Sequence, residues 1–471
     1  MFHSMLNIQF RNDVMKKITK TTLLSLAVSL VLTSGYASAK VAIEEANKLG
    51  EQLTPMGAVQ KANDDGSIPE WTGGITTLPE GYKVGQHHID PFNDDKTLFT
   101  ISASNLNEYK NHLTPGQVKL FETYPDSYQM HVYQTRRSAS FPTHVYDAVK
   151  TNATRSELIE EGNGIINASV GIPFPMPKTG LEAIWNHILR YRGEHVVRRG
   201  GQAAPTASGD FTYLGFIESL VLPYNVKGAQ PEELQATNIL FKFKQKVTEP
   251  ARLSGTALLV HETMDQIKTP RQAWTYNTGQ RRVRRAPNVA YDTPGTASDG
   301  LRTTDDFDMY NGAPNRYTWK LKGKQELYIP YNDYRLHSND LKYDQILQPG
   351  HIDPQYVRYE KHRVWVVEAT LKSDTRHTYK KRVFYIDEDS WQVAVTDIYD
   401  NRDELYRVGV AHGLNYYEVP TQWSTLEVFH DLQSRRYIAM GLDNETKMYD
   451  FSTELSDSSF TPSALRREGR R

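Results

Sequence analysis

Between Asn238 and Val247 the chain alternates, with Ile239, Phe241 and Phe243 falling on one side and Lys242, Lys244 and Lys246 on the other. A period of two predicts a strand with one face toward a core and one toward water. Tyr317, Trp319 and Leu321 oppose Thr318, Lys320 and Lys322 in the same way. Further strands are expected near 256–262, 272–277, 325–331, 357–371, 378–386, 391–399, 403–412, 423–430 and 435–440. Short turns such as Asp387-Glu388-Asp389-Ser390 would join several of them as antiparallel hairpins. Little helical pattern lies between these strands, which argues against a parallel βαβ sheet. A long meander with one apolar, aromatic face must cover that face, by closing into a barrel or by curling around helices.

Before about residue 205 the texture is different, rich in Pro, Gly and short helical patterns. Leu113 to Phe121 reads as a short helix, with Thr114 as N-cap and Pro115 at the first helical position. Gly180 to Tyr191 reads as a second helix, because Leu181, Ile184, Trp185, Ile188 and Leu189 recur at helical spacing. Ile172-Pro173-Phe174-Pro175-Met176-Pro177 can continue neither element and reads as a strap lying across something else. Gln202 to Gly209 is a loop of small residues. The expected class is mainly β with α (α+β). Residues 206–445 would form the curved antiparallel domain, residues 40–205 would wrap it, and residues 446–471 would be a C-terminal tail.

The first 39 residues change the picture of where the chain works. Lys16, Lys17 and Lys20 precede an apolar run from Leu23 to Leu32, and Ala37-Ser38-Ala39 has the form of a cleavage site. The run is too short for a bilayer, which needs roughly 20 residues. It reads as a secretory signal peptide, with Met15 as the natural start and Lys40 as the first mature residue. The mature chain is then expected to be soluble and periplasmic in a Gram-negative envelope. There are no cysteines, which excludes a disulfide framework, a lipid-modified Cys and thiolate metal sites. Removing four basic residues and one acidic residue with the leader leaves 51 Lys+Arg against 55 Asp+Glu, a net of −4. Such a chain lacks the strongly basic balance of a nucleic-acid binder.

The densest chemistry is Trp274-Thr275-Tyr276-Asn277-Thr278-Gly279, a strand and turn, followed by Arg281, Arg282, Arg284 and Arg285 around Val283. These guanidiniums suit phosphate or carboxylate headgroups. They suit a solvated strand whose Arg stems cover apolar surface equally well. Trp274, Tyr276, Tyr317, Trp319, Tyr328, Tyr331, Trp365 and Phe384 form an aromatic set that would serve as core or as ligand lining. Asp305-Asp306-Phe307-Asp308 reads as a loop, with pairing to the arginines as the alternative. Adjacent His87 and His88 point apart in a strand or loop, and Asn63-Asp64-Asp65-Gly66 lacks the last ligand of a calcium loop. No H-E-x-x-H, G-x-S-x-G or G-x-x-x-x-G-K-[ST] pattern occurs. No catalytic residue, metal or cofactor is therefore assigned.

At this point the chain resembles a family. Leu53-Thr54-Pro55-Met56-Gly57-Ala58 and Asn63 to Gly74 (N-D-D-G-S-I-P-E-W-T-G-G) are similar to the N-terminal signature of a bacterial family of unknown function that itself resembles outer-membrane lipoprotein-sorting proteins. Leu113 to Asp126, Gly171 to Gly193 and Trp274 to Pro287 are similar to its later signatures. The resemblance implies the half-open barrel of lipoprotein carriers, lidded by helices and loops and holding acyl chains. It also implies an inner-membrane exporter of the resistance-nodulation-division type and an outer-membrane protein as partners. The chain departs from the carriers in being more than twice their usual length. Two functions follow as expectations. The first is a periplasmic, non-enzymatic carrier of a lipid-like ligand, with Trp274, Tyr276, Arg281, Arg282, Arg284, Arg285, Trp319, Tyr328, Tyr331 and Trp365 as binding residues. The second is an envelope enzyme or structural subunit on the same scaffold.

Overall fold

The computed structural model describes residues 40–286, 289 and 291–469. The signal segment read at residues 1–39 and Pro287, which ends one quoted motif, lie outside the described residues. The first strands are short: β1 (Phe99–Ile101), β2 (Met130–Val132), and the separate hairpin β3 (Glu157–Ile159) with β4 (Gly164–Ile166). A first meander follows as β5 (His195–Ala203), β6 (Leu214–Val221), β7 (Ile239–Val247), β8 (Ala257–Thr263), β9 (Gln272–Asn277) and β10 (Arg282–Arg285). The second comprises β11 (Tyr317–Pro330), β12 (Tyr359–Leu371), β13 (Lys381–Asp387), β14 (Val393–Tyr399), β15 (Leu405–Tyr416), β16 (Thr421–Asp431) and β17 (Arg436–Leu442).

All of these except β3 and β4 join one sheet of 15 strands, ordered β1-β2-β12-β13-β14-β15-β16-β17-β5-β6-β7-β8-β9-β10, with β11 also on β12. Its curved, open form is the expected class: β10 is one edge, and β1 and β11 lie at the other. The two meanders are joined where Ala439 of β17 pairs with Ala203 of β5. Pairing is antiparallel except for a single parallel register of Tyr359 with Val132. The sheet also takes in β1, β2, β5 and β6, four segments outside the expected strands. In β5 the run Arg198-Arg199-Gly200-Gly201 hides the alternation, because charge and glycine are both unusual inside a strand.

The central strands are buried on both faces. From Arg407 to Tyr416 every residue of β15 is buried, so period-two polarity is lost there. Alternate side chains enter two different cores. On the inner face Val367, Phe384, Ile386, Ala411, Trp423 and Phe429 meet α2 (Thr143–Arg155), α3 (Gly180–Leu189) and the proline strap. On the outer face Val364, Val395, Val408, Val410 and Val428 meet α1 (Pro115–Thr123) and the 331–357 crossover through Leu336, Ile346 and Leu347. Two shorter helices, α4 (Pro231–Thr237) and α5 (Pro462–Glu468), lie beside the first meander, and α5 falls within the C-terminal tail.

The helix starts follow from the residues that cap them. Thr114 Oγ1 accepts the Gln117 N–H at 3.1 Å, and Gln117 Oε1 accepts the Thr114 N–H at 2.9 Å. The same Thr114 hydroxyl and the Gly116 N–H both donate to Asp397 Oδ1, at 3.0 and 3.1 Å. Burial pushes the Asp397 carboxyl up to about 6. In α3 the Thr179 hydroxyl caps Glu182 N at 3.2 Å. The apolar stripe read from sequence is only part of what α3 buries, since Glu182, Asn186 and His187 are buried as well. Asn186 clasps the strap at both polar groups of Phe174, at 2.9 and 2.6 Å. The strap is thus held to α3 at its centre, with both peptide groups of Phe174 satisfied.

Gly116 shows how closely α1 sits on the sheet. A Cβ there would collide with Asp397 Oδ1 and lie 2.8 Å from Val408 Cγ2. Gly116→Ala should therefore destabilise the protein by about 1–3 kcal/mol, as overpacking does in a filled core. Urea unfolding followed by circular dichroism checks this. A change under about 0.5 kcal/mol would show that α1 shifts freely.

Candidate functional site

Strand alternation on the first meander sends Phe216, Phe241, Phe243, Leu258, Val260 and Ala273 to the inner face. There they line a cavity of about 220 Å³. Segment 291–304 covers it. That segment folds back on itself through Thr304 N to Thr293 O at 2.8 Å and Gly295 N to Arg302 O at 3.1 Å. Gln202 of β5 pins its tip by donating to the carbonyls of Thr296 and Ala297, at 2.8 and 2.9 Å. Arg407 of β15 donates to Gly300 O at 2.5 Å.

One part of the wall is charged. Asp308 accepts from Arg190 at 2.5 and 2.9 Å and from Arg192 through a short bond. Its backbone carbonyl accepts from His187 Nε2 at 2.8 Å. His187 Nδ1 accepts the Val393 N–H at 3.1 Å, so the ring is neutral with its proton on Nε2. Burial pulls its pKa down to about 3. Arg198 pairs with Glu218, and Arg271 with Glu262 at 2.6 Å. Burial raises Glu262, opposed by Arg271. Glu427 has no cation within ion-pair reach among the described residues. It accepts only from Ser424 Oγ at 2.9 Å, and burial together with Asp308 pushes it up to about 7.

None of the ten residues expected to bind a ligand is among those lining this cavity. The parity of β9 explains two of them. Ala273 and Thr275 face inward, so Trp274 and Tyr276 face outward, where Tyr276 packs with Leu259, Phe460 and Leu465 under α5. Trp319 stacks on Phe384, with centroids 5.8 Å apart, in the inner core. Tyr328 and Tyr331 belong to the outer core, and Tyr331 stacks on His362 at 3.9 Å. Trp365 stacks on Trp391 at 6.1 Å. Arg281, Arg282, Arg284 and Arg285 are exposed around the terminal strand β10. Charge on a short edge strand discourages pairing with another chain.

Asp305, Asp306 and Asp308 turn out to be buried, and their partners are not the arginines that follow Gly279. Asp305 pairs with Arg382 at 2.6 Å and with His377 at 3.1 Å, and Asp306 accepts from Tyr379 Oη at 2.8 Å. A D-D-F-D run can be buried only if cations arrive from elsewhere in the chain. The signal that could have found them is Arg190-Tyr191-Arg192 directly after an apolar helix.

Elsewhere His362, Asp387 and Asp389 bring ligand-type atoms within 4.8 Å of one another. Arg137 already bonds both oxygens of Asp389, at 2.9 and 2.7 Å, and Ser390 and Tyr331 bond Asp387 Oδ2. Only Asp387 Oδ1 is left without a partner. This donor set is committed to tying residues 59 and 60, through Arg137, to the β13–β14 hairpin. His88, from the adjacent pair, bonds Glu418 at 2.7 Å and His337 at 3.0 Å inside the core.

Residues 100–466 match the family model described as a protein of unknown function (DUF1329). An uncharacterized protein of Pseudomonas aeruginosa is 51% identical over 454 residues, covering 96% of this chain and 99% of that protein. Among solved structures, a putative outer membrane lipoprotein-sorting protein domain from Vibrio parahaemolyticus is similar at a TM-score of 0.43 and 14% identity, covering 61% of this chain and 98% of that one. A DUF1329 family protein from Desulfovibrio piger gives a TM-score of 0.40 and 14% identity, covering 58% and 92%.

Glu427 makes the cavity sensitive to pH. Its folded pKa of about 7 lies above the ordinary 4.5. The protonated form is thus favoured by folding, and the stabilisation present below pH 4.5 is lost as pH rises through 7. Glu427→Gln, which stays neutral, should match the native protein near pH 4 and exceed it by about 2–3 kcal/mol at pH 8. Thermal melts across that range check the difference. Equal melts at both pH values would mean that Glu427 is solvated when ionised.

Proposed function

Because the chain belongs to the DUF1329 family of proteins of unknown function, we propose that it is a binding protein of the bacterial envelope that holds a lipid-like or amphipathic ligand. The observation that carries this is the cavity of about 220 Å³ floored by Phe216, Phe241, Phe243, Leu258 and Val260. A pocket with an apolar floor and charged groups along its wall suits a ligand with an apolar body and one polar end. The covering segment is held by hydrogen bonds from Gln202 and Arg407, contacts that can break and reform as a ligand enters and leaves. The leader read at residues 1–39 supports a periplasmic place of work. Among the described residues no helix is long and apolar enough to cross a membrane. Transfer between an inner-membrane exporter and the outer membrane rests on the family resemblance alone.

One observation favours the alternative of an envelope enzyme. Glu427 is a carboxyl in the cavity wall without a cation partner, and burial pushes it up to about 7, where it could give or take a proton. Chemical alteration of the bound molecule by the native protein, absent with Glu427→Gln, would support it.

The carrier reading is tested by mass spectrometry of organic extracts from natively purified protein, with Val260→Trp as the filled-cavity control. The native protein should carry an amphiphile at near-stoichiometric levels, and the variant should carry at least about tenfold less. Equal loading of the two proteins, or an empty native protein that also fails to take up hexadecanol, would overturn it.

A further inference from the structure

Five arginines and four acids line the cavity, and three of each pair off, which leaves Glu427 among the acids and two of the arginines. Arg192 is held by Asp308, Arg198 by Glu218 and Arg271 by Glu262. Arg199 pairs in register with Ile217, so alternation sends its side chain to the opposite face from Glu218. Arg302 remains. Among the described residues no carboxylate lies within 4.0 Å of its guanidinium, whose one hydrogen bond runs from Nη1 to the Thr303 carbonyl at 3.2 Å. Its Nε is buried and has no partner.

The backbone is shaped to keep that guanidinium where it is. Arg302 lies in the covering segment, opposite Gly295, and a Cβ on Gly295 would come within 2.7 Å of the Arg302 Cζ. Pro294 and Thr303 bridge directly beside it. The group is held by local structure and yet has no carboxylate within ion-pair reach among the described residues. Arginine stays protonated even in such a place, although burial lowers its pKa here against the pull of Asp306, Glu427 and Glu218 from farther off. A half-buried cation whose Nε is shut off from water gains when an anion meets it. An oxyanion can take Nε and an Nη together in the planar fork that guanidinium offers.

We propose that the cavity selects a single-chain amphiphile with an anionic oxyacid head, a fatty carboxylate or an alkyl phosphate, and that Arg302 is the counter-ion for that head. The inference rests on the carrier reading and adds the class of ligand. The chain would lie on Phe241, Phe243 and Val260. The head would sit under the 291–304 segment, so its binding would also help to hold that cover closed.

The test is displacement of dansyl-labelled undecanoic acid from the full mature protein by palmitate, hexadecyl phosphate and hexadecanol. One charge-assisted contact in a desolvated site corresponds to about tenfold or more in affinity. Palmitate or hexadecyl phosphate, or both, should bind at least about tenfold tighter than hexadecanol, and which of them is tighter identifies the head. Arg302→Gln should bring that ratio to within about twofold of unity, whereas Arg302→Lys should keep part of it. A native ratio near unity, or a ratio unchanged in Arg302→Gln, overturns the assignment while uptake of hexadecanol leaves the carrier reading standing. No uptake of any of the three overturns both.

Discussion

Asp308 is the point on which the interior closes. Both of its oxygens are taken by Arg190 and Arg192, which follow the end of α3, and its carbonyl takes His187 from within that helix. Asp308 and Met309 both adopt left-handed backbone, with φ of 54° and 64°. Aspartate enters that region more readily than most residues, but a methionine directly after it does so rarely without compensation. The ion triad supplies that compensation. It fixes the chain just after the covering segment to a helix that is buried on nearly every side, and it places Arg192 in the cavity wall. Buried triads contribute little net stability when complete, but removing one member typically costs about 3–5 kcal/mol. Loss of Asp308 would leave two guanidiniums desolvated together.

The sheet imposes a second constraint. Fifteen strands in an open sheet have two broad faces, and the strands from β12 to β17 are apolar on both. Each face must therefore be covered by chain from outside the meanders. The segment before β5 supplies α1 for the outer face and α2, α3 and the strap for the inner one. The crossover between β11 and β12 completes the outer layer. The first meander is less fully covered, and the cavity opens there. The inner apolar residues of β7 and β8, Phe241, Phe243, Leu258 and Val260, face the 291–304 segment across a space instead of a packed helix.

The edge strands follow the same logic of exposure. β10 is four residues long and flanked by guanidiniums, with Val283 turned toward the α5 cluster. Such an edge resists strand addition, and the arginine-rich turn has this structural role whatever else it does. His362, Asp387 and Asp389 are likewise committed to neighbours, mainly to Arg137 and Ser390. The cavity wall is the place where a charged group, Arg302, is left without a carboxylate.

The sequence alone determined much of the architecture. Strict alternation in β7 and the start of β11, with short hairpin turns, was enough for an antiparallel sheet. Thr114 followed by Pro115 was enough for the start of α1. These signals are local: a strand's parity and a helix cap are written within a few residues. The quoted signatures were enough for the family. What the sequence could not determine was which side of each strand would face a cavity and which charges would meet. Trp274 and Tyr276 looked like a lining, but pairing of β9 with β8 put Ala273 and Thr275 on the inner face instead. Asp308 and Arg190 are 118 residues apart, and β5 meets β17 across more than two hundred residues of chain. Contacts of that range leave no periodic trace, because a buried charge or a strand edge can be satisfied by any suitable partner that folding brings near. The tertiary structure alone decided which partners those were, and which guanidinium was left without one.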